Sequence, residues 1–326
     1  MKKIKLVIEL GSSNTVIYKM GNGIVLREPS VIALKRDNSI IEVGYKAKKM
    51  IGKTDENILI VSPIENGIIT NENACNLMLK AFLNKVVEND FACDIEVLFC
   101  IQNGLTESEL LTFKNVAYYS SVKSVCFVSE SMASALCCGF NKTNPHATIS
   151  LNIGGGTVSM AVVSLGKIIE GYSIGFGGND MDISIKDYVQ TAFNLNISLS
   201  TAEKLKIECG SLYKQDTTNL EVSGIDILSK CPHTEIIQSI DVYYAVENYF
   251  VNIAKSVEQL LHLCSPDIIA DITANGIIVS GGVANIVGLE DYLSKKLNLK
   301  VYIPEQPENC AILGAAMYLN DKNYKK

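Results

Sequence analysis

Two stretches of this chain are built to the same plan: IKLVIELGSSNTVIYKM over residues 4–20 and ATISLNIGGGTVSMAVVSLG over residues 147–166. Each is a β-branched-rich apolar run ending in one polar side chain, Glu9 or Asn152. A turn of Gly and small residues follows, closes in Thr15 or Thr157, and leads into a second apolar run. Short apolar runs bounded by glycine predict two buried strands joined by a tight hairpin. A turn of Gly and Ser leaves backbone N–H groups uncovered, and successive uncovered N–H groups form a concavity that binds an anion. The pair therefore predicts two loops closing on one polyphosphate, with a carboxylate beside one and an amide beside the other.

The rest of the chain bounds this reading. A length of 326 residues suits two domains or one large one, since single cores stop growing at roughly 250–300 residues. With 48% hydrophobic and 20% charged residues the chain is of the folded globular class. Its net charge of -6, with no basic cluster beyond the short termini, argues against nucleic acid as a partner. Ten cysteines without a CxxC pair, and His146, His233 and His262 far apart, lack the ligand spacing of a zinc site. The thiols read as small core or inert surface residues in a reducing cytosol. Glu9 and the glycine turn interrupt MKKIKLVIEL too early for a leader or membrane span, so it reads as a strand.

In chain order, GNGIVLREPSVIAL (residues 21–34) extends the strand meander, and residues 35–62 form a charged peripheral segment. A helix is predicted from about Asn71 to Val87, a buried strand over residues 94–102, and a capping box of Thr106 with Glu109 opening the next helix. A strand over residues 124–130 leads into an alanine-rich helix, and the polar FNKTNPH (residues 140–146) is the best domain boundary. After the second glycine hairpin come a helix from about Asp180 and a second capping box, Ser200 with Glu203. Residues 211–240 read as irregular, and a long helix runs from about Asp241 to Cys264, stopped by Pro266. A strand with the glycine turn SGGVAN, a helix from about Val287, a last strand and a last helix complete the chain.

ELGSSNT, PIENGIIT, GLTESEL, SESMASAL, NIGGGT, IGFGGNDMD, STAEKLKIECGS and SGGVANIVGLE, in this order and spacing, resemble the actin-fold ATPases, most closely the MreB family of bacterial actins. The resemblance covers residues 4 to about 319. It implies an α/β fold, an actin-like duplicated domain with two five-stranded mixed sheets flanked by helices, a nucleotide cleft between them, and four subdomains. The halves would be residues 1–144, with a peripheral subdomain at about 35–65, and 145–326, with one at about 181–243. The cleft would hold ATP and Mg²⁺. Gly11, Ser12, Ser13 and Asn14 match the first phosphate loop, and Gly154, Gly155, Gly156 and Thr157 the second. Glu203, Lys204 and Lys206 match the helix that meets ribose and base, and Gly281, Gly282, Val283 and Ala284 the adenosine loop. Glu109 falls where the resemblance puts the residue that orients the attacking water, although a helix cap explains the same carboxylate.

The chain departs from the family pattern at the chemistry. The two loop acids that would hold magnesium through its waters are Glu9, one methylene longer than the usual Asp, and Asn152, an amide. Mg²⁺ favours carboxylate oxygen, so the metal site is expected to be weakened and hydrolysis slow or lost. Two functions follow: an ATP-gated cytoskeletal filament for cell shape, or a catalytically degenerate nucleotide-binding scaffold or adaptor. A sugar or acetate kinase would need a catalytic aspartate and substrate pocket for which no motif occurs. Expected partners are the chain itself, a paralogous bacterial actin and cell-shape membrane proteins, in the cytoplasm or at the inner face of the membrane. Phe91 and Ala92 in ENDFACD (residues 88–94) are the candidate membrane loop, set among acids that anionic lipid repels.

Overall fold

The structure, a computed structural model, describes residues 2–87 and 93–321. Strands β1 (Lys2–Leu10), β2 (Asn14–Lys19) and β3 (Gly23–Pro29) form an antiparallel meander. Then come β4 (Ile32–Lys35), β5 (Ile40–Val43), α1 (Tyr45–Lys48), β6 (Ile58–Val61), β7 (Ile64–Glu65), β8 (Ile68–Ile69) and α2 (Glu72–Val87). β9 (Cys93–Ile101), α3 (Glu107–Tyr119), β10 (Val122–Ser129) and α4 (Glu130–Cys137) complete the first half. The second half opens with β11 (Thr148–Ile153), β12 (Val158–Ser164), β13 (Lys167–Ile174) and α5 (Gly178–Phe193). It continues through β14 (Leu195–Asn196), α6 (Leu199–Cys209), β15 (Asn219–Asp226), β16 (Pro232–Gln238), α7 (Ser239–His262) and α8 (Pro266–Asn275). Last are β17 (Ile277–Ser280), a 3₁₀ turn at Gly282–Asn285, α9 (Leu289–Leu297), β18 (Val301–Tyr302), a 3₁₀ turn at Pro307–Asn309, and α10 (Cys310–Asn320).

The duplication is explicit in the sheets. The first has order β10-β9-β1-β2-β3 and the second β13-β12-β11-β17-β18. In each, a central strand (β1 or β11) pairs antiparallel with its hairpin partner on one edge and parallel with a strand on the other. All six residues of β11 are buried, which accounts for its unbroken apolar run: both faces of the sheet are covered. One core packs α2 and α3 on the first sheet, and another packs α5, α6 and α7 on the second. A third lies between the sheets and contains α4 and α10 with residues from both halves, such as Val7, Leu98, Ala161 and Val163. Although α10 is last in the chain, it packs on α4, β1, β2 and β9. Two three-stranded sheets, β5-β4-β6 and β14-β15-β16, lie peripheral to the large ones.

Several expectations need correction. The Thr106 and Glu109 capping box is present, but Ser200 and Glu203 form none. Ser198 caps α6 instead, its hydroxyl accepting from Thr201 N at 3.1 Å, because Ser198 is the extended residue and Ser200 is already helical. Residues 211–240 contain the β15–β16 hairpin; its strands are mostly exposed, so their apolar pattern is weak. Residues 32–35 leave the meander for a peripheral sheet. Pro266 begins α8 as well as following α7, since the first turn of a helix needs no proline N–H. Phe91 and Ala92, the candidate membrane loop, lie outside the described residues. Among the described residues no helix is long and apolar enough to cross a membrane.

Candidate functional site

Both glycine turns close with the same hydrogen bond. Gly11 N donates to Asn14 O over 3.1 Å, and Gly154 N donates to Thr157 O over 2.8 Å. Ser30 holds the first turn from behind, its hydroxyl donating to Gly11 O at 2.6 Å. The start of α5 holds the second: Gly178 N donates to Gly154 O at 3.0 Å and Asn179 N to Gly155 O at 2.7 Å.

The turns also touch each other. A Cβ on Gly155 would lie 2.0 Å from Ser13 Oγ, and one on Gly156 would lie 2.4 Å from Ser12 Oγ. No side chain fits at either position, which explains the run of glycines that costs backbone entropy without packing return. Ser13 Oγ donates to Asn179 Oδ1 at 2.6 Å, and Gly67 N donates to Ser12 Oγ at 3.0 Å. The turns thus form one wall of a cavity of about 450 Å³ between the halves.

The cavity floor is set by three strand ends. β1 delivers Glu9, β11 delivers Asn152, and Glu130 follows β10 as the first residue of α4. Glu130 Oε2 accepts from Asn152 Nδ2 at 2.9 Å and from Ser159 Oγ at 3.1 Å. The other end of the Asn152 amide accepts from Ser280 Oγ at 3.3 Å. Burial raises the Glu130 carboxyl above its ordinary range, and these two donors oppose the rise. Glu9 has no such support: its Oε2 is enclosed without a hydrogen-bond partner. Burial pushes Glu9 up to about 8, the Glu130 charge adds to the rise, and Arg27 opposes it.

An unpartnered buried carboxylate oxygen beside a second carboxylate suits a hard divalent cation, so Glu9 and Glu130 fit magnesium. Asn152 does not: both ends of its amide are engaged, and it acts as a strut for Glu130. Among the described residues no group of three metal-ligating side chains gathers.

On the far wall, α6 presents Glu203 and Lys206. Lys206 Nζ donates to Gly178 O at 2.6 Å and ion-pairs with Asp182 at 2.7 Å. Burial pushes Asp182 up to about 6, with Lys206 opposing. Glu203 ion-pairs at 2.6 Å with Lys48 of α1, so the two halves also meet across the cavity mouth. Gly281 sits at φ 93°, where a Cβ would fall 2.3 Å from Ile153 O; only glycine fits, and Gly281, Gly282 and Val283 line the cavity.

The cavity therefore gathers Glu9, Gly11, Ser12, Ser13, Asn14, Asn152, Gly154, Gly155, Gly156, Thr157, Glu203, Lys206, Gly281, Gly282 and Val283. Three expected residues are not among its lining. Glu109 is engaged in its helix cap, accepting from Thr106 N at 2.7 Å and Thr106 Oγ1 at 2.8 Å. Lys204 is exposed and pairs with Glu208 at 3.8 Å, one turn along α6. Ala284 is packed in the core of the second half. Reading the sequence missed Glu130, Gln102 and Arg27, all of which line the cavity. The signal for Glu130 was present: SVCFVSE, like the two hairpin strands, is an apolar run that ends in a polar side chain. In sheets of this kind ligands bind beyond the carboxyl ends of the strands.

The chain is similar to several known proteins in sequence and fold. The family model described as MreB/Mbl protein matches residues 3–326. The cell shape-determining protein Mbl of Bacillus subtilis is 32% identical over 317 residues, covering 96% of this chain and 95% of the relative. The cell shape-determining protein MreB of Escherichia coli K12 is 32% identical over 321 residues, covering 96% and 92%. The crystal structure of MreB5 of Spiroplasma citri bound to ADP superposes with a TM-score of 0.91 at 32% identity, covering 97% of this chain and 96% of that one. A double helical filament of MamK, at 18% identity and TM-score 0.83 over 98% of this chain and 99% of that one, shares the fold.

Proposed function

The chain belongs to the MreB/Mbl family of bacterial actins, and on that premise we propose that it binds ATP in the cavity and polymerises into cytoskeletal filaments that set cell shape. The observation that carries this is the contact between two glycine turns of identical hydrogen bonding at one wall of a cavity of about 450 Å³. The MreB5 relative was crystallised with ADP and with AMPPNP, and the MamK relative is a filament, which supports the same reading here.

The N–H groups of residues 12–13 and 155–156, which lie between the closing bonds of the two turns, bind the phosphates, and Glu203, Lys206 and Gly281 to Val283 face ribose and base. Glu9 and Glu130 would hold magnesium, which supplies charge neutralisation on the phosphates when bound. Glu130, which lines the cavity, rather than Glu109, which is engaged in its helix cap, is the carboxylate placed to orient a water. Asn152 fixes the Glu130 rotamer but brings no charge of its own. Magnesium binding is therefore weak and hydrolysis slow. A nucleotide-binding scaffold or adaptor without turnover is the second reading, favoured by the full engagement of the Asn152 amide. The filament partner is the chain itself or a paralogous actin, with cell-shape membrane proteins at the inner face of the membrane.

Negative-stain imaging with and without ATP, together with phosphate release by wild type and Asn152→Asp, tests the proposal. Filaments with ATP and turnover about tenfold faster in the variant are expected. No filaments in any nucleotide, or equal turnover, would sink it.

A further inference from the structure

Three of the ten cysteines meet where α4 ends and α10 begins. Cys137 is the last residue of α4 and Cys138 its C-cap, both half-buried, whereas Cys310 opens α10 and is 1% exposed. Cys138 Sγ lies 3.8 Å from Cys310 Sγ, and Cys310 Sγ also donates to Ser134 O at 3.6 Å. The contact with Cys310 pulls Cys137 down to about 7 and Cys138 below its ordinary value, with burial opposing in both. The same contacts and burial push Cys310 upward. Isolated buried thiols behave differently: burial pushes Cys75 up to about 12 and Cys209 to about 11. This cluster therefore sets reachable, easily ionised thiols against an enclosed, protonated one, an arrangement suited to thiol–disulfide exchange.

The cluster sits at the junction of the halves. α4 and α10 share the core between the two large sheets, and they cross so closely that a Cβ on Gly314 would fall 1.7 Å from Ala133 O. α4 carries Glu130 at its other end, while α10 carries Ala311 on the cavity wall. Asn309, just before Cys310, accepts from Arg27, another residue of that wall.

We propose that Cys138 and Cys310 are an oxidation site for low-molecular-weight disulfides, and that the bond they form locks together the helix pair packed between the halves. The Cys138 thiolate attacks one sulfur of R–S–S–R, forming Cys138–S–S–R and releasing RS⁻. The Cys310 sulfur then attacks Cys138 Sγ, the second RS⁻ leaves, and the Cys310 proton passes to a released thiolate. Two protein thiols are oxidised and one small-molecule disulfide is reduced to two thiols. The approach needed, from 3.8 Å to about 2.05 Å, is the scale of side-chain rotation.

The test exposes the full-length protein to oxidised glutathione, followed by mass analysis of unreduced peptides. A Cys138–Cys310 cross-link is expected in wild type and Cys137→Ser and absent from Cys138→Ser. Glutathione adducts without the cross-link, or a cross-link confined to other cysteines, would overturn the site. The locking effect rests on the nucleotide reading above, so it is measured separately, as release of a fluorescent ADP analogue from oxidised protein. Release several-fold slower, restored by dithiothreitol and unaffected by oxidant in Cys138→Ser, supports it. Unchanged release from cross-linked protein overturns the lock. A protein that cross-links but binds no nucleotide overturns the ATP reading and leaves the oxidation site standing.

Discussion

At the β1–β2 turn and at the β11–β12 turn the backbone does the same thing, yet the side chain behind each turn is in the opposite state. Glu9 opposes Val16 in its register and Asn152 opposes Ser159. From these matched positions Glu9 points an unpartnered oxygen into the enclosed floor, while both ends of the Asn152 amide are engaged. One half of the duplication presents an open carboxylate oxygen, and the other uses its side chain as a strut. The difference teaches that a duplicated backbone does not oblige duplicated chemistry. At the second of the two matched positions the amide supports Glu130.

The comparison breaks most directly at Asn152. Asn152→Asp removes the donor to Glu130 and adds a third carboxylate to the floor, so the metal-free protein should lose about 3 kcal/mol of stability. Thermal melting in chelator measures this, and an unchanged melting temperature would contradict the strut.

Glu9→Gln should act in the other direction. The folded-state pKa of Glu9, about 8, lies above its ordinary value. Its contribution to stability is therefore present below the unfolded value near 4.5 and lost as pH rises through about 8. Because Glu9 keeps partial access to the cavity, the effect is discounted to about 2 kcal/mol in favour of Glu9→Gln at pH 8, with little difference at pH 5. Denaturant unfolding at the two pH values reads it, and a variant less stable than wild type at pH 8 would show that Glu9 already has a partner. The smallest effect belongs to Ser159→Ala, which removes one donor to Glu130 and should cost about 1 kcal/mol. A larger loss than at Asn152 would make Ser159, not the amide, the principal support.

The glycine hairpins, the Thr106 cap and the long helices were legible because each is decided by neighbours in sequence. What was misread was decided by tertiary contact. Glu109 and Glu130 are both carboxylates in the first turn of a helix, but only Glu130 follows a strand whose end opens on the cavity. Lys204 and Lys206 are two residues apart on α6, which places them on different faces: one pairs along the helix surface, the other reaches Gly178 and Asp182. Ser200 resembled a cap in sequence, yet Ser198 has the extended backbone that a cap requires. The β15–β16 hairpin hid because a small, largely exposed sheet needs little apolar residue.

Calorimetric titration of ATP into the purified protein, with magnesium and with chelator, examines the asymmetry of the floor most directly. Binding is expected in both conditions, with magnesium tightening it by less than about tenfold, or about 1.4 kcal/mol. No binding in either condition, or tightening of about a hundredfold or more by magnesium, would contradict the account.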